Sequence, residues 1–239
     1  NAVLAKPAEQ TPLIAARAIA LMWQAGVSKD VLHLLPGDGP SVGAALTALP
    51  DLDGICFTGS TETARRIGQS LARHGRPDAA FIAETGGLNA MLVDSTALPE
   101  QAVRDILASA FQSAGQRCSA LRILYLQADV ADRVLEMLMG AMRELVLADP
   151  WALSTDIGPL IDAEARDAIA AYIDKAKQDE RLLMRMEAAD GGYFLGPCVI
   201  EVPGIEALES EVFGPVLHVA RFEAEDLSKV IGQINQAGY

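Results

Sequence analysis

Hydrophobic residues along this chain follow two rhythms. Short apolar runs are bounded by glycine, proline and small polar residues. Longer stretches between them repeat their apolar positions every three to four residues. The first rhythm suits buried strands and the second suits helices packed on one face. Strands are expected over residues 2–5, 31–35, 54–58, 79–83, 90–93, 121–126, 194–202 and 216–222. Thr11-Pro12 supplies an N-cap and a proline at the first helical position. Leu13, Ile14, Ile19, Leu21 and Met22 then predict a mostly buried helix that Gly26 stops. Further helices are expected over 41–49, 61–73, 99–113, 130–147 and 162–178, and another closes the chain. Val103, Ile106, Leu107, Ala110 and Phe111 share one helical face, as do Val134, Leu138, Ala141 and Leu145. Residues 180–192 read as an exposed connection around a short strand.

Strand and helix alternate almost throughout, the mark of an α/β fold with parallel strands and crossover helices. The run of smaller elements ends at Gly86-Gly87, so two domains are expected, 1–86 and 87–239. The chain opens within a strand and closes just after a helix, and it therefore reads as a piece of something longer.

Composition narrows the function classes. Hydrophobic residues make up 51% and charged residues 21%, a globular balance. A formal charge of −13 argues against a nucleic-acid partner. No apolar run approaches the ~18 residues of a membrane span, and no signal-peptide pattern opens the chain. The cysteines, Cys56, Cys118 and Cys198, show no paired spacing and read as free thiols in a reducing cytoplasm. His33, His74 and His218 are scattered, so no metal site is expected.

The candidate chemistry lies between Glu84-Thr85-Gly86-Gly87 and Gly115-Gln116-Arg117-Cys118-Ser119. A strand and a long helix separate these glycine-marked corners, enough chain to fold back and bring a carboxylate to a thiol. That pairing points to covalent catalysis by a thiolate with a carboxylate moving protons. A free thiol has a reference pKa of about 8.5 and needs help from helix-end N–H groups or a nearby cation. Gly115 permits a sharp turn, and Arg117 is adjacent. The bland alternative, a buried structural cysteine, fits Cys56 and Cys198, each in an apolar strand. Glu84 ends a strand, where ligands of open α/β sheets bind; a solvated loop carboxylate is its alternative. Gly59-Ser60-Thr61-Glu62 turns a strand into a helix and can face a phosphate, or Ser60 is simply an N-cap. Lys6 and Glu9 follow the first strand, where they hold a ribose or are plain surface charges. Glu211-Val212-Phe213-Gly214-Pro215 sets a carboxylate and an aromatic at a corner, or forms an ordinary turn.

Taken together, KPAEQTP, FTGSTE, ETGG, GQRCS and EVFGP, in this order, resemble the aldehyde dehydrogenase superfamily. The 34-residue separation of Glu84 and Cys118 fits its glutamate-to-cysteine arrangement. The residues around Glu84 and those from Ser109 to Arg122 resemble one branch most, the glutamate-semialdehyde dehydrogenase half of the bifunctional proline utilization A proteins. Thr85 and Ala64 point the same way.

This resemblance implies an aldehyde dehydrogenase fold: part of a Rossmann-like NAD-binding domain (1–86), then most of a catalytic α/β domain (87–239). It implies NAD as cofactor and oxidation of L-glutamate γ-semialdehyde to L-glutamate. FAD belongs to the companion proline dehydrogenase half, no part of which lies within these residues. Cys118 is implied as the nucleophile, giving a thiohemiacetal and, after hydride transfer to NAD, a thioester. Glu84 is implied as the general base for its hydrolysis. Lys6 and Glu9 would contact the adenosine ribose, Gly59 and Ser60 the pyrophosphate, Glu211 and Phe213 the nicotinamide ribose and ring, and Ser119 the aldehyde. The whole protein is expected to be a cytoplasmic homo-oligomer. The family's oxyanion-hole asparagine, its first strands, and its substrate-gripping loop have no counterpart in this stretch, so little turnover is expected from this chain alone. The rival readings are an aldehyde dehydrogenase of other specificity, a cysteine hydrolase, which would want a histidine base, and a non-catalytic module of the same fold.

Overall fold

The computed structural model describes residues 2–188 and 191–238. The chain divides between Thr85 and Gly86 into two units. In the first unit, apolar runs pair as parallel strands in two small sheets. β1 (Val3–Ala5) lies beside β2 (Leu32–Leu34), and β3 (Gly54–Thr58) beside β4 (Ala80–Glu84). α1 (Pro12–Gln24) crosses from β1 to β2, and α2 (Ala44–Thr47) and α3 (Thr61–His74) follow β2 and β3.

Local chemistry sets the ends of these helices. Gly26, at φ +100°, closes α1: its N–H reaches the Trp23 carbonyl and the Val27 N–H the Met22 carbonyl, both at 3.1 Å. This is the double bond of a Schellman stop. Thr11 occupies the N-cap position but makes no side-chain cap bond. Ser60 does cap α3, accepting from the Thr63 N–H at 3.2 Å. The stretch expected as a helix over 41–49 is instead a π-helical turn (Gly39–Gly43) followed by the one-turn α2. Glycine and proline in its first turn weaken regular α-helical bonding.

The expected burial of α1 does not hold. Only Ile19 is buried, while Leu13 and Ile14 are 84% and 68% exposed. Two three-residue strands are too small a sheet to cover an apolar helical face. Cys56 is exposed on β3 rather than buried.

The second unit holds a five-stranded sheet in the order β5-β6-β9-β8-β7. Its strands are β5 (Asn89–Val93), β6 (Leu121–Gln127), β7 (Leu182–Arg185), β8 (Cys198–Glu201) and β9 (Val216–Phe222). All neighbours are parallel except β7, which runs antiparallel to β8. α4 (Pro99–Phe111) and α5 (Ala128–Met142) pack side by side against β6. α6 (Ala163–Gln178) packs on β7, and α7 (Leu227–Gln236) ends the described chain. The main core cluster lies wholly in this unit, from Leu88 to Val230. Ile106, Ile123, Leu124, Leu126, Leu138 and Val199 are fully buried. Burying each such side chain contributes about 1.5–3 kcal/mol.

Three elements of this unit end earlier or start later than the pattern predicts. α4 stops at Phe111 because Ser113 and Ala114 turn left-handed, at φ 57° and 54°. α5 stops at Met142, and Leu147 instead bridges to Ile157, so the later apolar residues are packed by loops. β8 begins at Cys198, after Gly196-Pro197, where a proline without an N–H cannot join the ladder. Of the expected connection 180–192, residues 189–190 lie outside the described set.

Candidate active site

Cys118 sits in an exposed turn between α4 and β6. Three consecutive left-handed residues, Ser113, Ala114 and Gly115 (φ +66°), lead into it. Gly115 is required twice over: its φ is positive, and a Cβ there would overlap the Gly214 carbonyl oxygen. The turn is tied down through its carbonyls. The Asn89 amide donates to the Cys118 carbonyl at 2.7 Å and to the Ala120 carbonyl at 2.9 Å. Arg122 Nη2 donates to the Arg117 carbonyl at 3.0 Å. Gln116 donates to the Pro159 carbonyl at 3.3 Å and accepts from the Ile161 N–H at 2.9 Å.

Arg122 also joins this turn to the Glu211-Phe213 corner. Its side chain is 1% exposed. Nε and Nη2 both donate to Glu211 Oε1, at 3.0 and 2.7 Å, and Nη1 donates to the Gly214 carbonyl at 3.2 Å. The guanidinium lies 5.4 Å from the centre of the Phe213 ring. A buried cation is tolerated when a carboxylate and further acceptors surround it, as here. Glu211 Oε2 points the other way, and a Cβ on Gly86 would overlap it. Arg122 therefore touches Glu211, Gly214 and Phe213 on one side and, on the other, the Arg117 carbonyl, which precedes Cys118 and Ser119 in the chain.

Beside this corner lies a cleft of about 320 Å³, bounded by Gln116, Ile169, Tyr172, Glu211 and Phe213 among others. Tyr172 donates its hydroxyl to His218 Nε2 at 2.8 Å, and His218 Nδ1 donates to the Arg122 carbonyl at 2.9 Å. His218 is buried on β9, and burial is the main reason its pKa falls to about 4; the Arg181 and Arg122 charges add to the effect, and its bond to the Arg122 carbonyl opposes it. It is therefore neutral, with both ring nitrogens engaged. Cys198 is buried as expected, and burial pushes its thiol up to about 12.

The remaining candidates lie in the first unit. Glu84 ends β4 with its backbone carbonyl accepting from the Gly59 N–H at 3.1 Å. Gly59 and Ser60 lead into α3, and a Cβ on Gly59 would collide with the Phe57 ring. Lys6 and Glu9 converge on the loop after β2. Lys6 Nζ donates to the Gly37 carbonyl at 2.9 Å, and Glu9 accepts from the Gly39 N–H at 2.5 Å. Among the described residues, no cluster of three or more histidine, cysteine, aspartate or glutamate side chains could hold a metal. No helix there is long and apolar enough to cross a membrane.

The aldehyde dehydrogenase family profile matches residues 1–239. The chain belongs to the aldehyde dehydrogenase family. It is 52% identical over its whole length to the bifunctional protein PutA of Klebsiella aerogenes, and it spans 19% of that protein. Identity to the 1-pyrroline-5-carboxylate dehydrogenase of Bacillus thuringiensis is 35%, again over the whole chain, which covers 47% of that enzyme. A crystal structure of proline utilization A from Bradyrhizobium japonicum superposes with a TM-score of 0.96 at 51% identity, over 100% of this chain and 24% of that one. The betaine aldehyde dehydrogenase of Staphylococcus aureus, solved in complex with NAD+, gives 0.88 at 30% identity, over 98% of this chain and 47% of that one. The chain thus spans about a fifth to a half of the curated relatives named here.

In this aldehyde dehydrogenase chain, sequence reasoning assigned no role to two side chains that hold the cysteine turn. Arg122 had a signal: an arginine inside an apolar strand run needs a counter-ion. Asn89 had a weaker one, a carboxamide at the first position of a strand.

Proposed function

We propose that this chain carries the chemistry of an NAD-dependent L-glutamate γ-semialdehyde dehydrogenase, acting on the open form of 1-pyrroline-5-carboxylate. The observation that carries the reading is Cys118: an exposed thiol in a turn fixed by its carbonyls and joined through Arg122 to Glu211 and Phe213. The substrate choice rests on the identity to PutA and 1-pyrroline-5-carboxylate dehydrogenase.

Cys118 Sγ attacks the aldehyde carbon, and the carbonyl electrons move to oxygen, where the Cys118 N–H is one donor to the oxyanion. The chemistry that bound NAD would supply is that of a hydride acceptor for this carbon. Cys118 then carries a thioester. Glu84 takes a proton from water as the water attacks, and Cys118 leaves as thiolate to release glutamate. Ser119 touches the aldehyde substrate beside the nucleophile.

The residues present fit the cofactor. α3 is a full-length helix opening on Gly59 and Ser60, and its first N–H groups suit a pyrophosphate. Lys6 and Glu9 share one loop and address the adenosine ribose. The cleft beside Glu211 and Phe213 has a carboxylate for ribose hydroxyls and an aromatic wall for the nicotinamide. Residues 1–86 then serve as part of the NAD domain and residues 87–239 as most of the catalytic one. The compartment is the cytoplasm, the whole protein is a homo-oligomer, and FAD serves only a companion proline dehydrogenase half. A cysteine hydrolase is disfavoured because buried His218 has both nitrogens occupied.

The test is site-resolved alkylation of the native chain with and without NAD. Cys56 and Cys118 are both exposed, so exposure alone predicts similar rates. The reading expects Cys118 to react faster than Cys56, NAD to change its rate, and pyrroline-5-carboxylate with NAD to leave an acyl mass on Cys118 alone. Equal rates, unmoved by NAD and without an adduct, in the whole protein as well as in this chain, would overturn it.

A further inference from the structure

Between the cysteine turn and the Glu211 corner stands one fully buried cation whose donors are shared between them. Arg122 holds Glu211 Oε1 twice, the Gly214 carbonyl, and the Arg117 carbonyl one residue before the nucleophile. Its guanidinium also lies under the Phe213 ring. Lysine has the charge but not the planar fork, so it cannot satisfy these partners together.

We propose that Arg122 is a positioning residue that makes the Cys118 turn and the Glu211-Phe213 corner one mechanical unit. A second consequence follows for Glu211. Oε1 is committed to Arg122, so only Oε2 remains to accept from a ligand, and it is the oxygen a Cβ on Gly86 would displace. Glu211 therefore engages a ligand hydroxyl through one oxygen while the other holds the nucleophile's turn. The identity of that ligand rests on the NAD reading above; the link to the cysteine turn does not.

The linkage predicts that damage at either end loosens the other. Glu211→Gln keeps the size and one acceptor oxygen, so it spares the fold better than a change at Arg122. Hydrogen exchange of residues 116–120, the Cys118 alkylation rate relative to Cys56, and the NAD dissociation constant are measured for wild type, Glu211→Gln, Arg122→Lys and the double variant. Each single change is expected to speed exchange of the turn about tenfold while amides of β8 stay as in wild type. The Cys118-to-Cys56 rate ratio should change with it. The double variant should be no worse than the more severe single one, because both break the same link. Wild-type exchange and alkylation in Glu211→Gln would overturn the proposal. So would additive effects in the double variant, or uniformly faster exchange across β6, β8 and β9, which would make Arg122 a core residue only. If the turn loosens selectively but NAD never binds wild type, the cofactor reading fails and the linkage stands.

Discussion

Asn89 gives both hydrogens of its side-chain amide to the turn that carries Cys118, one to the Cys118 carbonyl at 2.7 Å and one to the Ala120 carbonyl at 2.9 Å. The two bonds fix the turn from the first residue of β5. Asn89→Ala removes both; the Cys118 carbonyl lies in an exposed turn and regains water, while that of buried Ala120 loses this partner. The expected cost is about 1–2 kcal/mol in urea unfolding. Alkylation should show a changed Cys118 rate with Cys56 unaffected. An unchanged midpoint and rate would show that the bonds do not hold the turn.

Gly115 and Gly140 should respond oppositely to the same change. Gly115→Ala meets a positive φ and the Gly214 carbonyl, a backbone atom that cannot yield without moving the Glu211 corner. Destabilisation of about 2–4 kcal/mol is expected. Gly140 lies inside α5 with no atom within 4 Å of a new Cβ. Gly140→Ala should therefore stabilise by about 0.5–1 kcal/mol. Thermal or urea melts of the two variants against wild type decide the matter.

His218 makes stability depend on pH. Its pKa falls from the ordinary 6.5 to about 4 in the folded chain, chiefly through burial. Above pH 6.5 both folded and unfolded states carry it neutral, and its contribution is intact. As pH falls below 6.5 the unfolded chain takes up a proton that the folded chain refuses, so stability is lost. The slope approaches about 1.4 kcal/mol per pH unit, or about 2 kcal/mol between pH 6.5 and 5. His218→Gln should flatten that difference in urea titrations across the window. Parallel profiles for wild type and variant would contradict the burial argument.

Cys198 should report on global unfolding. It is fully buried on β8, with its thiol pushed up to about 12. At pH 7–8 the native protein should label at Cys56 and Cys118 and leave Cys198 intact. Pulse alkylation through a urea series should then trace the cooperative loss of the second unit. Native labelling of Cys198 as fast as Cys56 would count against the buried strand.

What the sequence disclosed depended on how local the cause was. The runs 54–58 and 216–222 were legible to the residue as β3 and β9, because glycine and proline bound them and apolar side chains fill them. The end of α4 was not, because the left-handed turn at Ser113-Ala114-Gly115 answers to the Gly214 carbonyl, far along the chain. α5 was read too long since Leu145 is apolar and in register, yet a loop rather than a helix packs it. The apolar residues of α1 predict burial, but burial depends on a neighbour that the helix's own sequence does not encode. At the site, cysteine and glutamate stood out through the glycines beside them. Arg122 and Asn89 did not, since their partners are carbonyls and a carboxylate fixed only by the fold.

The sheet order also bears on when the surroundings of Cys118 come into being. β7 and β8 are near neighbours in sequence and pair antiparallel, so they can meet early. β6 and β9 are distant: Arg122 and Glu211 are 89 residues apart, and Arg122 and His218 are 96. Closing so long a loop carries an entropic cost before any contact is made, and such pairings form late. Until β9 docks, Cys118 lies on a turn whose arginine has neither carboxylate nor histidine against it. The turn that carries Cys118 is thus tied to the Glu211 corner last, once the final strand of the sheet has docked.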